Sequence, residues 1–212
     1  AHVPWIKGVG QRGFDENDLP SAEEKRELYE TGKRMLGKLG YVEIGMDHFA
    51  LKTDSMFKAI ANKTLHRNFM GYTASKTQLM IGLGMSAISD SWYSFAQNVK
   101  TVEEYTQLVN KNLIPIFRGH LLTSEDLIIR RHILNIMCNF ETNWEDKKMQ
   151  FPALANCLDR LKEMEEDGLV IITKNGLKLP EKARPFVRNV CMAFDLRLIN
   201  NKPKTRIFSM TI

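Results

Sequence analysis

The pattern of the first 45 residues does most to restrict the fold. A short apolar stretch, Ala1–Pro4, leads through a loop holding Gly8, Gly10 and Gly13 into a helix with an explicit start. Ser21 follows Pro20 and stands three residues before Glu24, the spacing at which each side chain satisfies the other residue's backbone amide. Leu28, Met35, Leu36 and Leu39 form an apolar stripe, and Gly40 supplies a C-terminal stop. Tyr41–Gly45 (YVEIG) then alternates as a strand does. Strand, helix of roughly five turns and strand predict a right-handed crossover onto a parallel sheet. The expected class here is α/β, with too few strands to close a sheet, so the chain reads as a fragment of a larger fold.

Past Gly45 the pattern turns irregular, and polar and aromatic residues concentrate. Asp47 and His48 follow the predicted parallel strand, at the carboxyl end where open and barrel-like α/β folds bind ligands. Leu65–Thr73 (LHRNFMGYT) carries His66, Arg67, Asn68, Phe69 and Tyr72. Gly82, Gly84, Ser86 and Ser89 form a small-residue loop that a cofactor can approach closely. Gly82 and Gly84 do not make a dinucleotide-binding fingerprint, which needs a third glycine at fixed spacing.

A second, mainly helical part is expected over 113–212, after a first part over 1–112. Thr123 and Ser124 precede Glu125 and Asp126, a helix N-terminus with its dipole complemented. That helix runs through Ile129, Ile133, Leu134, Met137 and Phe140, and a later one carries Leu154, Leu158, Leu161 and Met164 up to Gly168. Leu169–Thr173 reads as a strand, Lys174-Asn175-Gly176 as a type I′ hairpin turn, and Leu177–Leu179 as the return. Phe186, Val187, Val190, Met192 and Phe194 mark a last helix. Helices followed by a hairpin give a winged-helix-like arrangement. Nucleic acid is not its expected partner: Arg160 and Lys162 are outnumbered by Asp159, Glu163, Glu165, Glu166 and Asp167, and the wing offers only Lys174 and Lys178.

Composition removes other classes. With 43% hydrophobic and 26% charged residues the chain can bury a core. No apolar run approaches the ~20 residues that span a bilayer, and His2, Pro4 and Trp5 interrupt any signal-peptide core. A cytoplasmic protein without a membrane partner is expected. Cys138, Cys157 and Cys191 are too far apart for a disulfide framework or a cluster motif and read as buried thiols. The net charge of +5 points weakly to an anionic partner.

Read together, seven segments carry a resemblance: AHVP (Ala1–Pro4), GMDHFA (Gly45–Ala50), LHRNFMGYT (Leu65–Thr73), GLGMSAIS (Gly82–Ser89), AQN (Ala96–Asn98), Arg130-Arg131 with Cys138–Phe140, and VRNVCMAFD (Val187–Asp195). In order and spacing the chain resembles the oxygen-independent coproporphyrinogen III oxidases, radical S-adenosylmethionine (SAM) enzymes of heme biosynthesis. The resemblance implies part of a radical-SAM (β/α) partial barrel followed by a mainly helical C-terminal domain. It further implies a 4Fe–4S cluster and SAM as cofactors, coproporphyrinogen III as the tetracarboxylate substrate, and a monomeric protein completed by an N-terminal half. The cluster-binding CxxxCxxC motif does not occur in this sequence, so the resemblance implies that the fragment alone is inactive. Positions matching a second SAM site are Ala1, Phe69 and Ile88, with Met70 standing where related sequences can carry Gln. Arg67 is the expected substrate contact, because a guanidinium binds a carboxylate in a fork. The heme-chaperone relatives carry HNxxYW where this chain has His66-Arg67-Asn68-Phe69, and do not fit. A non-catalytic winged-helix-like interaction module is the alternative from another class.

Overall fold

The computed structural model describes residues 18–201. The expected strand Ala1–Pro4 and the loop of Gly8, Gly10 and Gly13 lie outside the described residues.

Helix α1 (Ala22–Lys38) starts as expected: Ser21 Oγ accepts from the Glu24 amide at 3.1 Å and Glu24 Oε2 from the Ser21 amide at 2.8 Å. It stops at Leu39, with Gly40 at φ +86°. The apolar stripe does not face a core formed by the described residues: no residue of α1 is buried, and Leu39 is 71% exposed. Strand β1 (Tyr41–Gly45) has the expected bounds, and its expected parallel partner Ala1–Pro4 lies outside the described residues. Strand β1 pairs antiparallel with β2 (His48–Leu51), Gly45 opposite His48, and Met46 turns the chain at φ 51°. Asp47 and His48 therefore sit in a tight hairpin just past the end of β1.

The stretch read as irregular contains ordered elements. Helix α2 (Ser55–Ala61) is followed by the hairpin β3 (His66–Asn68) and β4 (Gly71–Thr73). Strands β5 (Ile88–Asp90), β6 (Ser94–Asn98) and β7 (Ile116–Leu121) form an antiparallel sheet in that order, with α3 (Val102–Asn110) joining β6 to β7. The sheet thus carries the chain to Leu121 before the helical part opens.

Helix α4 (Ser124–Asn139) is capped reciprocally by Thr123 and Asp126 and ends at Phe140, φ 58°. Then come β8 (Glu141–Asn143), α5 (Leu154–Asp159), α6 (Lys162–Glu166), β9 (Ile171–Ile172) and β10 (Gly176–Lys178), with the three strands antiparallel in the order β8-β10-β9. A 3₁₀ segment, Glu181–Phe186, leads into α7 (Val187–Phe194) and α8 (Leu196–Asn200). The helix expected through Met164 is broken in two because the Leu161 amide bonds the Leu158 carbonyl, tightening the chain and sinking Leu161 to 1% exposure. The strand expected from Leu169 is shorter because the amides of Leu169 and Val170 close on the Met164 carbonyl. Nor is the Lys174-Asn175-Gly176 turn type I′, since neither Asn175 nor Gly176 has positive φ. Gly176 is needed for space: a Cβ there would meet the Thr142 carbonyl oxygen at 2.6 Å.

One core joins the two parts. Ile44, Leu65 and Tyr72 from the hairpins cluster with Ile136 and Met137 of α4 and with Val187, Val190 and Phe194 of α7. His132, on the buried face of α4, is fully enclosed. Its Nε2 donates to the Met149 carbonyl at 2.7 Å, which leaves Nδ1 to accept from Thr142 Oγ1 at 2.8 Å. Burial holds its pKa below the ordinary value, the Met149 hydrogen bond opposing, so the ring is a neutral structural member of the core. The described pairings are all antiparallel, and the architecture is mixed α/β without a closed barrel among the described residues.

Candidate functional site

The β3–β4 hairpin, the β5–β6–β7 sheet and helices α4, α7 and α8 enclose a cleft of about 940 Å³. On α4 it is lined by the apolar Ile129, Ile133 and Met137, and its lining also includes four arginines, Arg67, Arg130, Arg188 and Arg197, with Asp90, Asp126 and Asp195.

Arg67 sits on β3 directly opposite Tyr72 of β4. Its guanidinium lies over the Tyr72 ring, 4.8 Å from the centroid, and its Nη1 is buried without a hydrogen-bond partner among the described residues. Tyr72 is a fixed support: its hydroxyl donates to the Met137 carbonyl at 2.9 Å, and burial pushes its pKa up despite the nearby Arg67 charge. The ring fits only because residue 45 is glycine, where a Cβ would stand 2.6 Å from the Tyr72 oxygen.

Arg130 ties α4 to the sheet. Its Nη2 meets Asp90 Oδ2 at 2.6 Å, Nη1 donates to the Trp92 carbonyl at 2.9 Å, and the guanidinium lies 4.4 Å from the Trp92 ring and 5.0 Å from Phe95. Phe95 in turn meets Phe69 edge-on at 5.2 Å. At the other end, Arg197 grips Asp126 in a fork of 2.9 and 2.7 Å. That hydrogen bonding, with the Thr123 amide and hydroxyl, holds the Asp126 carboxyl well below the usual carboxylate range against the cost of burial.

A smaller cavity of about 400 Å³ adjoins the cleft across Phe69 and is lined also by Met70, Met80, Ile81, Gly82, Leu83 and Ile88. The structure therefore brings Phe69 and Ile88 to one pocket and puts Arg67 in the adjacent cleft, while Ala1 lies outside the described residues. Phe69 and Met70 form the two-residue turn of the β3–β4 hairpin, with Asn68 Oδ1 accepting from the Met70 amide at 2.8 Å. The Gly82 and Gly84 amides are already taken, by Ser89 Oγ and the Tyr105 hydroxyl. Gly82 serves packing instead, since a Cβ would meet Ile88 backbone atoms at 2.8–2.9 Å. Asp47 pairs with neighbouring His48 and neither lines the cleft.

The residues present fit part of the implied cofactors. Phe69, Met80 and Ile88 offer apolar and aromatic surface suited to an adenine or a sulfonium. No charged side chain lines that pocket to hold the amino-acid end of SAM. A 4Fe–4S cluster does not fit: no group of three His, Cys, Asp or Glu side chains suited to a metal gathers among the described residues. The three thiols are free and buried. Burial pushes Cys138 up to about 12 and raises Cys157 and Cys191, so none is a thiolate at neutral pH.

Sequence reasoning missed Asp90, His120, Asp126 and Arg197 as parts of the cleft. Asp90 and Arg130 pair across 40 positions and Asp126 and Arg197 across 71, so local spacing carries no trace of either. Arg130 alone had a signal, as part of the Arg130-Arg131 pair in the resemblance.

No protein-family model matches the chain. Oxygen-independent coproporphyrinogen III oxidases from Synechocystis and Escherichia coli are 35% and 36% identical over the full chain, which covers 47% of each. One from Helicobacter pylori is 33% identical over 93% of the chain, or 44% of that relative. The solved Escherichia coli coproporphyrinogen III oxidase, described as a radical SAM enzyme, superposes with a TM-score of 0.84 at 36% identity, covering 93% of this chain and 46% of that one. The chain spans about half the length of the curated relatives it matches, and along its whole length it is homologous to the oxygen-independent coproporphyrinogen III oxidases.

Proposed function

We propose that this chain is the C-terminal part of a cytoplasmic, monomeric oxygen-independent coproporphyrinogen III oxidase. The reaction removes one hydrogen atom, carbon dioxide and one electron from each of two propionates, leaving vinyl groups and giving protoporphyrinogen IX. The observation that carries the reading is the similarity along the full chain combined with a cleft whose apolar wall and arginine lining suit a tetrapyrrole with carboxylates at its periphery. A 4Fe–4S cluster and SAM, held mainly by the other half of the protein, supply the hydrogen-abstracting radical. The part of this chain is positioning: the apolar wall takes the macrocycle, Arg67 a propionate, and Phe69 and Ile88 one side of a second SAM.

We read the division between the parts as falling between Leu121 and Ser124, where the sheet ends and α4 begins. The winged-helix-like module beyond it serves packing rather than nucleic-acid binding, since α6 is predominantly acidic. Without the cluster-bearing half the chain is expected to be inactive. The test is anaerobic turnover by the complete protein, cluster-loaded and supplied with SAM and coproporphyrinogen III. Conversion supports the reading, and a loaded protein that turns over none of it contradicts it.

A further inference from the structure

Two side-chain nitrogens in the cleft have no hydrogen-bond partner among the described residues. Arg67 Nη1 is one. The other is Nε2 of His120 on β7, also buried and without a hydrogen-bond partner among the described residues. A guanidinium stays charged under all ordinary conditions, and a buried donor left unmet carries its full desolvation cost. Such a cost persists where a ligand removes it.

The acidic groups of the cleft are already committed. Asp90 holds Arg130. Asp195 Oδ1 accepts from the Leu198 amide at 2.9 Å. Asp126 Oδ2 is the carboxylate oxygen nearest His120, yet at 3.9 Å it is too far for a hydrogen bond. That oxygen already accepts from the Thr123 amide at 2.8 Å, the Thr123 hydroxyl at 2.9 Å and Arg197 Nη2 at 2.7 Å, which uses up its lone pairs. His120 cannot be satisfied by Asp126 while that arrangement holds.

Arg67 on β3 and His120 on β7 both line the cleft, as does the apolar face of α4. We propose that Arg67 and His120 are two separate anchors for carboxylates of one ligand whose apolar body lies on α4. The cleft would thereby select a polycarboxylate over a compound of the same shape with fewer carboxylates. The ligand's identity as a coproporphyrin-type tetracarboxylate rests on the proposed function; the two anion sites do not.

The experiment uses the complete cluster-loaded protein and two stable probes, coproporphyrin III with four carboxylates and mesoporphyrin IX with two. Titrations compare native protein with Arg67→Met, Arg67→Lys, His120→Gln and the double variant Arg67→Met/His120→Gln. Coproporphyrin III is expected to bind native protein more tightly than mesoporphyrin IX, and Arg67→Met and His120→Gln each to weaken it about ten- to hundredfold. In the double variant the preference for four carboxylates should disappear. Arg67→Lys, which keeps the charge and loses the fork, should fall between. Thermal melts without ligand separate a binding cation from a structural one: Arg67→Met should melt close to native protein, because the Nη1 it removes makes no hydrogen bond among the described residues.

Native-like coproporphyrin III affinity in both single variants overturns the proposal, as does an Arg67→Met protein that melts well below native protein or does not fold. Should the anchors behave as stated while native protein fails to decarboxylate coproporphyrinogen III, the anion sites stand and the assigned reaction falls. Decarboxylation by native protein with unaltered binding in the variants sinks the anchors alone.

Discussion

Gly45→Ala is the sharpest structural test of how the site is held. The added Cβ would lie 2.6 Å from Tyr72 Oη, 2.8 Å from Cζ and 3.2 Å from Cε2. Gly45 does not have positive φ, so the cost comes from space and not from backbone conformation. Tyr72 cannot give way cheaply, being 8% exposed, hydrogen-bonded to the Met137 carbonyl and stacked beneath Arg67. Overpacking of this kind costs about 1–3 kcal/mol, and loss of the Tyr72–Met137 bond adds about 1 kcal/mol. For a domain of this size that lowers the melting temperature by roughly 2–4 °C per kcal/mol. Thermal unfolding of Gly45→Ala, Tyr72→Phe and the double variant measures it. Because phenylalanine removes the atom in closest conflict, the double variant should lose less stability than the two single losses added together. Strict additivity, or a Gly45→Ala protein as stable as the parent, would refute the reasoning.

Asp90→Asn leaves Arg130 without its ionic partner at a mostly buried site and should cost about 3–5 kcal/mol in urea unfolding; Asp90→Asn with Arg130→Met should cost less than Asp90→Asn alone. His132 makes stability depend on pH. Below the ordinary histidine value of 6.5 the unfolded chain takes up a proton that the buried ring resists, so stability falls as pH drops from 7 to 5. His132→Gln should flatten that slope in denaturation midpoints while lowering stability at pH 7 by about 1–3 kcal/mol. Ile88→Asp puts a charge into the apolar pocket beside Phe69, and in the complete protein should weaken SAM binding at least about tenfold without lowering the helical circular dichroism.

Local chemistry was legible in the sequence, and pairing partners were not. The Ser21–Glu24 capping box and the helix start at Thr123 were readable because the hydrogen bonds that form them lie within four residues. The bounds of Tyr41–Gly45 were readable for the same reason, but its partner was not: alternation fixes which faces are apolar and says nothing of whether the neighbouring strand runs parallel or antiparallel. Strands of three residues such as β3, β4 and β5 are too short for periodicity to register, so the region around the cleft read as irregular. The stripe Leu28, Met35 and Leu39 was legible as apolar and remains exposed among the described residues, since covering it takes surface from elsewhere. At the site, Phe69 and Ile88 came from the resemblance and Arg67 from the fit of a guanidinium to a carboxylate. His120 could not, because its significance lies in Asp126 being saturated by Thr123 and by Arg197, which lies 71 residues from Asp126.

On the proposed function, this cleft positions a polycarboxylate tetrapyrrole for loss of two of its carboxyl groups. Mass spectrometry of the anaerobic reaction of the complete, cluster-loaded protein with SAM and coproporphyrinogen III tests it most directly. The expected product lacks two carboxyl groups and bears two vinyls, with its formation sharply reduced by Arg67→Met. Substrate recovered with all four carboxyl groups by an active-cluster native protein would contradict it.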